Sequence, residues 1–431
     1  MGHGHSHRRA DEVVLGTAAR RGLLGCLVLA AVATVAGAVL LWPDGDRVDD
    51  LREGARFAGP GVTFPIAIVD HVGPVCPHEP TPDGTTGTPS ESGAAAPECG
   101  RLEVTVLEGE GEGSVQSVQV PPHVATSGLA PGDGVRLMRI PAGGGVPAAF
   151  TYFGTDREVP LQVLALAFLF VTVLVAGKRG AFAVLGLGFA GGVIGVFLLP
   201  GLLSGGPAIP LGLVACSAIM FVVIYTTHGF SMRSSVALAG TLVGVALTAL
   251  IGWLSVGATR LSGVGDESGG LLASFDPELA LQGILTCAVM IAGLGVLNDV
   301  TITQASSAWE LRAAAPSMSR LSLWTSTMRI GRDHIASTIY TIAFAYTGTA
   351  LTLLMLLQLY ELPLADLLAT EDIAQEVVRT LTTSIGLVLA VPITTLLAVA
   401  LVPSRRPQQE ADTFLDDLEH GVRGPAGDGT G

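Results

Sequence analysis

Hydrophobic and polar positions along this chain fall into long blocks instead of short alternations. The first apolar run, Leu23 to Trp42, matches the ~20 residues a helix needs to cross a hydrocarbon core. Arg8, Arg9, Arg20 and Arg21 precede it. The run exceeds the ~7–15-residue core of a cleavable signal peptide. It therefore predicts a signal anchor with its N-terminus in the cytoplasm, with a cleaved signal as the alternative. After Pro160 further apolar runs follow at 161–177, 181–199, 208–226, 236–256, 279–297, 335–358 and 381–402. With the anchor they predict about eight membrane-spanning helices.

Residues 43–157 differ in kind, with acidic residues, prolines and short alternating stretches. Val62 to Val69, Leu102 to Leu107, Val115 to Val120 and Val135 to Ile140 each read as a strand. Gly132-Asp133-Gly134 suits a tight turn before the last of them. The stretch from Cys76 to Cys99 reads as a loop of turn formers, whose two cysteines either close a disulfide or stay as free thiols. The expected organisation is a cytoplasmic tail over 1–22, an anchor over 23–42 and a small OB-like β-rich domain over 43–157. A seven-helix bundle over 158–403 and a disordered cytoplasmic tail over 404–431 complete it.

Composition agrees with lipid as solvent. Charged residues are 14% of the chain, against roughly a quarter in an ordinary soluble domain, and the mean hydropathy is +0.57. A net charge of −14 argues against nucleic acid as a partner, because phosphate binding needs clustered positive charge. The single lysine, Lys178, is followed by Arg179, so no Walker A loop is present and any transport runs without ATP hydrolysis by this chain. Basic residues concentrate in alternate loops: Lys178-Arg179, Arg233, the group Arg312, Arg320, Arg329 and Arg332, and Arg405-Arg406. The intervening loops are neutral or acidic. This alternation places both termini in the cytoplasm and residues 43–157 outside.

Two stretches carry the chemistry. In Gly293 to Arg312 an apolar helix turns polar without a breaker, and Asp299, Thr303, Ser306 and Glu310 share a face, widened by Asn298, Thr301, Gln304 and Ser307. In Arg329 to Thr349, Asp333, Ser337, Tyr340 and Thr341 share another, with Arg332, Asp333 and His334 gathered at its entrance. Ionisable residues within a span are expensive unless they meet water, a cation or a partner. The two faces predict a hydrated path lined by Asp299, Thr303, Ser306, Glu310, Asp333 and Tyr340, with Arg332 as a neutralising charge and His334 as a proton carrier. The competing reading makes the same residues helix-packing glue. Gly188 with Gly192, Gly191 with Gly195, and Gly240 with Gly244 read as small-residue packing motifs. No metal site, cofactor motif or nucleophile–base set stands out. His3, His5 and His7 sit in a tail without fixed geometry, and His78-Glu79-Pro80 lacks the second histidine of a zinc-protease motif.

These stretches resemble the YibE/YibF-like family of bacterial polytopic membrane proteins. The resemblance rests on Gly293 to Arg312, Arg329 to Ser337, Ala345-Tyr346-Thr347-Gly348, Val378-Arg379-Thr380-Leu381 and Val391-Pro392-Ile393-Thr394-Thr395. It implies a bacterial cell-membrane protein whose family has no established molecular activity. Where the family pattern has a pair of acidic residues this chain has Asn298-Asp299, and an asparagine of the pattern falls near Tyr340. The expectation is a non-ATP-driven permease or channel-like protein for a small solute or ion, and not an enzyme. The alternative is a membrane scaffold or sensor whose outer domain binds a protein partner. Besides the lipid bilayer, a second copy of the chain remains a partner class.

Overall fold

The computed structural model describes residues 9–55, 59–74, 100–143, 145, 147–360 and 363–403. Cys76, Cys99 and the histidines at 3, 5, 7 and 78 lie outside them. The chain divides into two compact units, 55–175 and 1–54 together with 176–431.

In chain order the helices α1 (Arg9–Leu40) and α2 (Gly45–Gly54) come first, both in the larger unit. The smaller unit holds five strands, β1 (Ile66–Val72), β2 (Arg101–Val106), β3 (Val115–Gln119), β4 (Gly134–Ile140) and β5 (Ala149–Thr155), with the one-turn α3 (Pro122–Ala125) between β3 and β4. They form one antiparallel sheet in the order β3-β2-β1-β4-β5, and β5 comes round to meet β3, giving a small barrel. Alternation explains it: Leu102, Val104 and Val106 of β2, Val135 and Leu137 of β4, and Ala67 and Val69 of β1 point inward and are buried. Gly132 takes φ 98°, a left-handed conformation that suits glycine, and Asp133 accepts from the Ala130 N–H at 2.8 Å to close the predicted turn. The first strand begins later than its alternation suggests. The fifth, AFTYFGT, is a strand beyond the four that the alternation predicts within 43–157. Its aromatic positions alternate, but Gly154 and the short run weaken the signal.

The helical part continues with α4 (Glu158–Val193), a π turn over Ile194–Leu198 and α5 (Leu199–Leu203). Then come α6 (Ala208–His228), α7 (Met232–Thr259), α8 (Glu267–Phe275), α9 (Leu281–Ala314), α10 (Arg320–Thr349), α11 (Leu351–Leu359), α12 (Leu364–Ala369) and α13 (Glu371–Leu401). Six helices among the described residues are long and apolar enough to cross a membrane, or seven if the α10–α11 pair, bent by 64°, is one span. The run Glu158–Leu203 counts once among them, yet its 46 residues would measure about 70 Å, twice a ~30 Å hydrocarbon core. It carries both sequence-predicted spans 161–177 and 181–199, and its helix is interrupted at Gly177 (φ 59°, ψ −137°), beside Lys178-Arg179. Helices α9 and α10 reach well past their apolar runs. Ser319 caps α10 by accepting from the Ser322 N–H, so Arg320, Arg329 and Arg332 lie on helix instead of in a loop.

The centre of the bundle is α7, α9 and α13, with α1, α6 and α10 packed around them. Glycines here lie under threonines of the facing helix. A side chain added at Gly240 would strike Thr394, at Gly386 Thr248, at Gly293 Thr383, and at Gly252 it would touch Thr286 and Thr382. Bare glycine backbone permits this approach. Hydroxyls of Thr248, Thr286 and Thr394 donate to their own helix's carbonyls four residues back, at 2.9, 3.0 and 2.8 Å, so they enter the core already satisfied. The Gly240–Gly244 motif therefore does pack within this chain. Gly188, Gly191, Gly192 and Gly195 meet nothing within 4 Å of an added Cβ.

Candidate functional site

The polar stretch of α9 stays helical because nothing in it competes: it holds no proline, and its Ser and Thr residues are spread among good helix formers. Which face turns inward is decided by packing. Leu297, Val300, Thr301, Gln304, Ala305 and Ala308 are buried. Asp299 (side chain 67% exposed) and Glu310 (76%) point outward, and Thr303 and Ser306 are half-buried. The inward polar residues are thus Thr301 and Gln304, which sequence reasoning placed at the margin of the face. Thr301 and Thr241 of α7 share a hydrogen bond at 2.6 Å.

On α10, Thr327, Gly331 and Thr338 face inward, His334 is half-buried, and Arg332, Asp333 and Tyr340 face outward. The Tyr340 ring stacks on Phe344 with centroids 6.4 Å apart. The two helices run antiparallel and meet at two levels. His334 Nε2 lies 3.4 Å from Asp299 Oδ2, an ion-pair distance without hydrogen-bond alignment. About one and a half turns further along α9, Gln304 Nε2 donates to the Thr327 carbonyl at 3.4 Å, with the Gln304 amide lying against Gly331. Of the eight residues the sequence nominated for a path, the structure joins Asp299 to His334. It ties Glu310 to Arg233 of α7 at 3.5 Å and leaves Arg332, Asp333 and Tyr340 on the outer side of α10.

The third wall is α13. Arg379 pairs with Glu376 one turn earlier at 3.1 Å, both side chains about a quarter exposed, and Tyr346 of α10 lies against Glu376, Arg379 and Thr383. Arg379 belongs to a stretch on which the family resemblance rests, and Glu376 closes the acidic segment before it. The signal available was their spacing of three, which pairs them on one helical face.

Seven buried polar atoms along these three helices have no hydrogen-bond partner among the described residues. They are Asn298 Oδ1 and Gln304 Oε1 on α9, Thr327 Oγ1 and His334 Nε2 on α10, and Glu376 Oε2, Arg379 Nε and Thr383 Oγ1 on α13. An eighth, Arg312 Nε, sits at the end of α9, where the same guanidinium donates to the Pro316 and Met318 carbonyls at 3.1 and 2.6 Å. Buried Thr241, Thr248, Thr286, Thr338, Thr394 and Thr395 close their bonds within their own helix, so the orphan atoms mark this seam. Among the described residues no three His, Cys, Asp or Glu side chains gather into a metal-holding group.

At the first residue of α13, about one to two turns before the Glu376–Arg379 pair, Glu371 accepts from the Ser262 N–H and hydroxyl at 2.8 and 3.1 Å, from the Gly263 N–H at 3.2 Å and from Gln375 at 3.0 Å. Burial raises the Glu371 carboxyl, but the hydrogen bonds from Gln375, Ser262 and Gly263 outweigh it and hold the group below its ordinary range. The carboxylate thereby staples the loop after α7 to the first turn of α13. A cavity of 590 Å³ lined by Pro207, Trp253, Ser262, Gln282 and Thr286 lies near this loop and shares no residue with the seam.

Comparison with known proteins gives one family. The family described as YibE/F-like protein matches residues 164–404, which take in α6 to α13 and every stretch on which the resemblance rested. No curated protein and no solved structure matches the chain.

Proposed function

The chain belongs to the YibE/F-like family, and from that premise we propose that it is a multi-pass protein of the bacterial cell membrane providing a non-ATP-driven path for a small solute or ion. The path follows the seam of α9, α10 and α13. Its long apolar helices and the outward Leu, Val and Ile of α1, α7 and α13 suit lipid. The loop charges support cytoplasmic termini and an extracytoplasmic, OB-like barrel.

One observation carries this reading: seven buried polar atoms without hydrogen-bond partners among the described residues lie along three neighbouring helices. Each such atom costs about 1–3 kcal/mol when left dry, and lipid offers it nothing. Water or a polar solute in the seam removes that cost. Asp299 with His334 forms one charged station and Glu376 with Arg379 another, separated along α10 by the twelve residues from His334 to Tyr346, about 18 Å. Arg379 compensates the charge of Glu376, whereas His334 can do the same for Asp299 only when protonated.

The test is accessibility. Single cysteines at Asn298, Gln304 and Thr327, which line the seam, should react with a membrane-impermeant thiol reagent, while those at Ala305 and Ala308 stay protected. Uniform protection would sink the path. Once a substrate is known, Asp299→Asn and His334→Gln should reduce its flux. A second reading, a membrane sensor or scaffold, draws on the barrel, which has a hydrophobic core of its own. Deleting residues 60–141 separates the two, since a carrier whose bundle still folds retains transport and a sensor loses its function.

A further inference from the structure

The perimeter of the bundle is not uniform. Helix α1 presents Val28, Leu29, Val32 and Val35 outward, α7 presents Leu250 and Leu254, and α13 presents Leu381, Ile385 and Leu396. Helices α9 and α10 show a more mixed surface. Outward on α9 are Ala288, Ala292, Gly295 and Asp299, one per turn. Outward on α10 are Arg329, Arg332, Asp333, Ser337, Thr341 and Gly348, interleaved with the exposed Ile330, Tyr340 and Phe344. An added Cβ at Gly295 or Gly348 would meet nothing within 4 Å, so both glycines stand open. Helix α10 is also the one long helix at the bundle that qualifies as a span only when joined to its bent continuation α11.

Charged side chains avoid hydrocarbon, whereas the Thr341 hydroxyl is already satisfied by the Ser337 carbonyl at 3.2 Å. Small residues along a span mark where another helix comes close. The face carries two acids, Asp299 and Asp333, and two bases, Arg329 and Arg332, so it is balanced within itself. A surface of one sign would repel its own copy. With both signs adjacent on one helix, a two-fold axis sets Arg332 of each copy against Asp333 of the other, and the contact is made twice.

We infer that a second copy of this chain covers the α9–α10 face, the two α10 helices packing on each other. The pairing also closes the outer side of the Asp299–His334 station, which is open in one chain: Asp299 is 67% exposed there. The inference rests on the membrane reading and is independent of transport. A dimer with a dry seam keeps it and removes the path, and a hydrated monomer does the reverse.

The experiment uses the full chain in bilayers. With Cys26, Cys76 and Cys99 replaced by serine, Ser337→Cys treated with a short bis-maleimide should give a band at twice the 44.0 kDa chain. Val388→Cys, on the outward side of α13, should give none. Counting wild-type subunits by single-molecule photobleaching in liposomes, which needs no cysteine replacement, should find two per particle. Asp333→Arg sets like charges against each other and should weaken association by about tenfold or more, and the swap Arg332→Asp with Asp333→Arg should restore it. One copy per particle, cross-links to a different protein only, or an unaffected Asp333→Arg would each overturn the inference.

Discussion

Adding one methyl group at Gly240 tests how the bundle is held together. A Cβ there would lie 3.0 Å from Thr394 Cβ, 3.1 Å from its Cγ2 and closer still to its hydroxyl oxygen. Thr394 has no easy escape. Its side chain is fully buried, and its hydroxyl is bound to the Ala390 carbonyl at 2.8 Å. Relief requires either that α7 and α13 separate or that the hydroxyl rotates away, losing a bond worth about 1 kcal/mol. Overpacking of this kind costs roughly 1–3 kcal/mol. Against it stands the helix-propensity gain of alanine over glycine, about 0.5–1 kcal/mol. Gly240→Ala should therefore destabilise by about 1–2 kcal/mol net. Gly188→Ala, with open space around its Cβ, should receive the propensity gain alone. The assay is helix content by circular dichroism during titration of detergent-solubilised protein with a denaturing detergent. Thr394→Ala in the Gly240→Ala background removes the hydroxyl oxygen, the nearest obstacle, and Cγ2, and should recover about 1 kcal/mol, visible as coupling in a double-mutant cycle. If Gly240→Ala and Gly188→Ala differ by less than ~0.5 kcal/mol, glycine–threonine packing is not what joins α7 to α13.

Three further outcomes follow from the same coordinates. The Glu371 carboxyl is held below its ordinary value of 4.5, so its stabilising contribution is complete above that pH and is lost as pH falls through the lower folded value. Acid melts of wild type should lose stability in that window, and Glu371→Gln should be less stable at neutral pH with a flatter acid limb; parallel curves would refute the staple. Arg312→Gln should lower stability by roughly 1.5–3 kcal/mol, because the buried guanidinium holds the Pro316 and Met318 carbonyls between α9 and α10, and an unchanged melting temperature would contradict this. In detergent, with Cys76 and Cys99 replaced, a maleimide should modify exposed Cys26 in the native protein. Buried Cys216 and Cys287 should react only after unfolding, and equal rates would show that the α6–α9 contact is open.

Much of this architecture was legible before any coordinates. Apolar runs of span length and an alternating polar segment are local patterns, and each follows from the period of the element that carries it. Those periods announced the long helices, the barrel and the turn at Gly132. Boundaries escaped where the apolar pattern stopped before the helix did. The cap at Ser319 extends α10 through residues that composition alone assigns to a basic loop. Asp299 and His334 were both visible as charges near membrane-length runs, and their meeting required two helices to run antiparallel at one register. The sequence also determined that Asp299, Thr303, Ser306 and Glu310 share a side of α9, since 3.6 residues per turn permits nothing else. Only tertiary packing decided that this side turns outward, and that Gln304, about 100° away, faces α10. The reason is steric: α9 turns to the core the face whose Leu297, Val300 and Ala305 fit against α7 and α13, and its polar residues take what orientation remains. Glu376 and Arg379 show the same division. Their pairing is written in a spacing of three, and their place on the seam exists only once α13 lies beside α10.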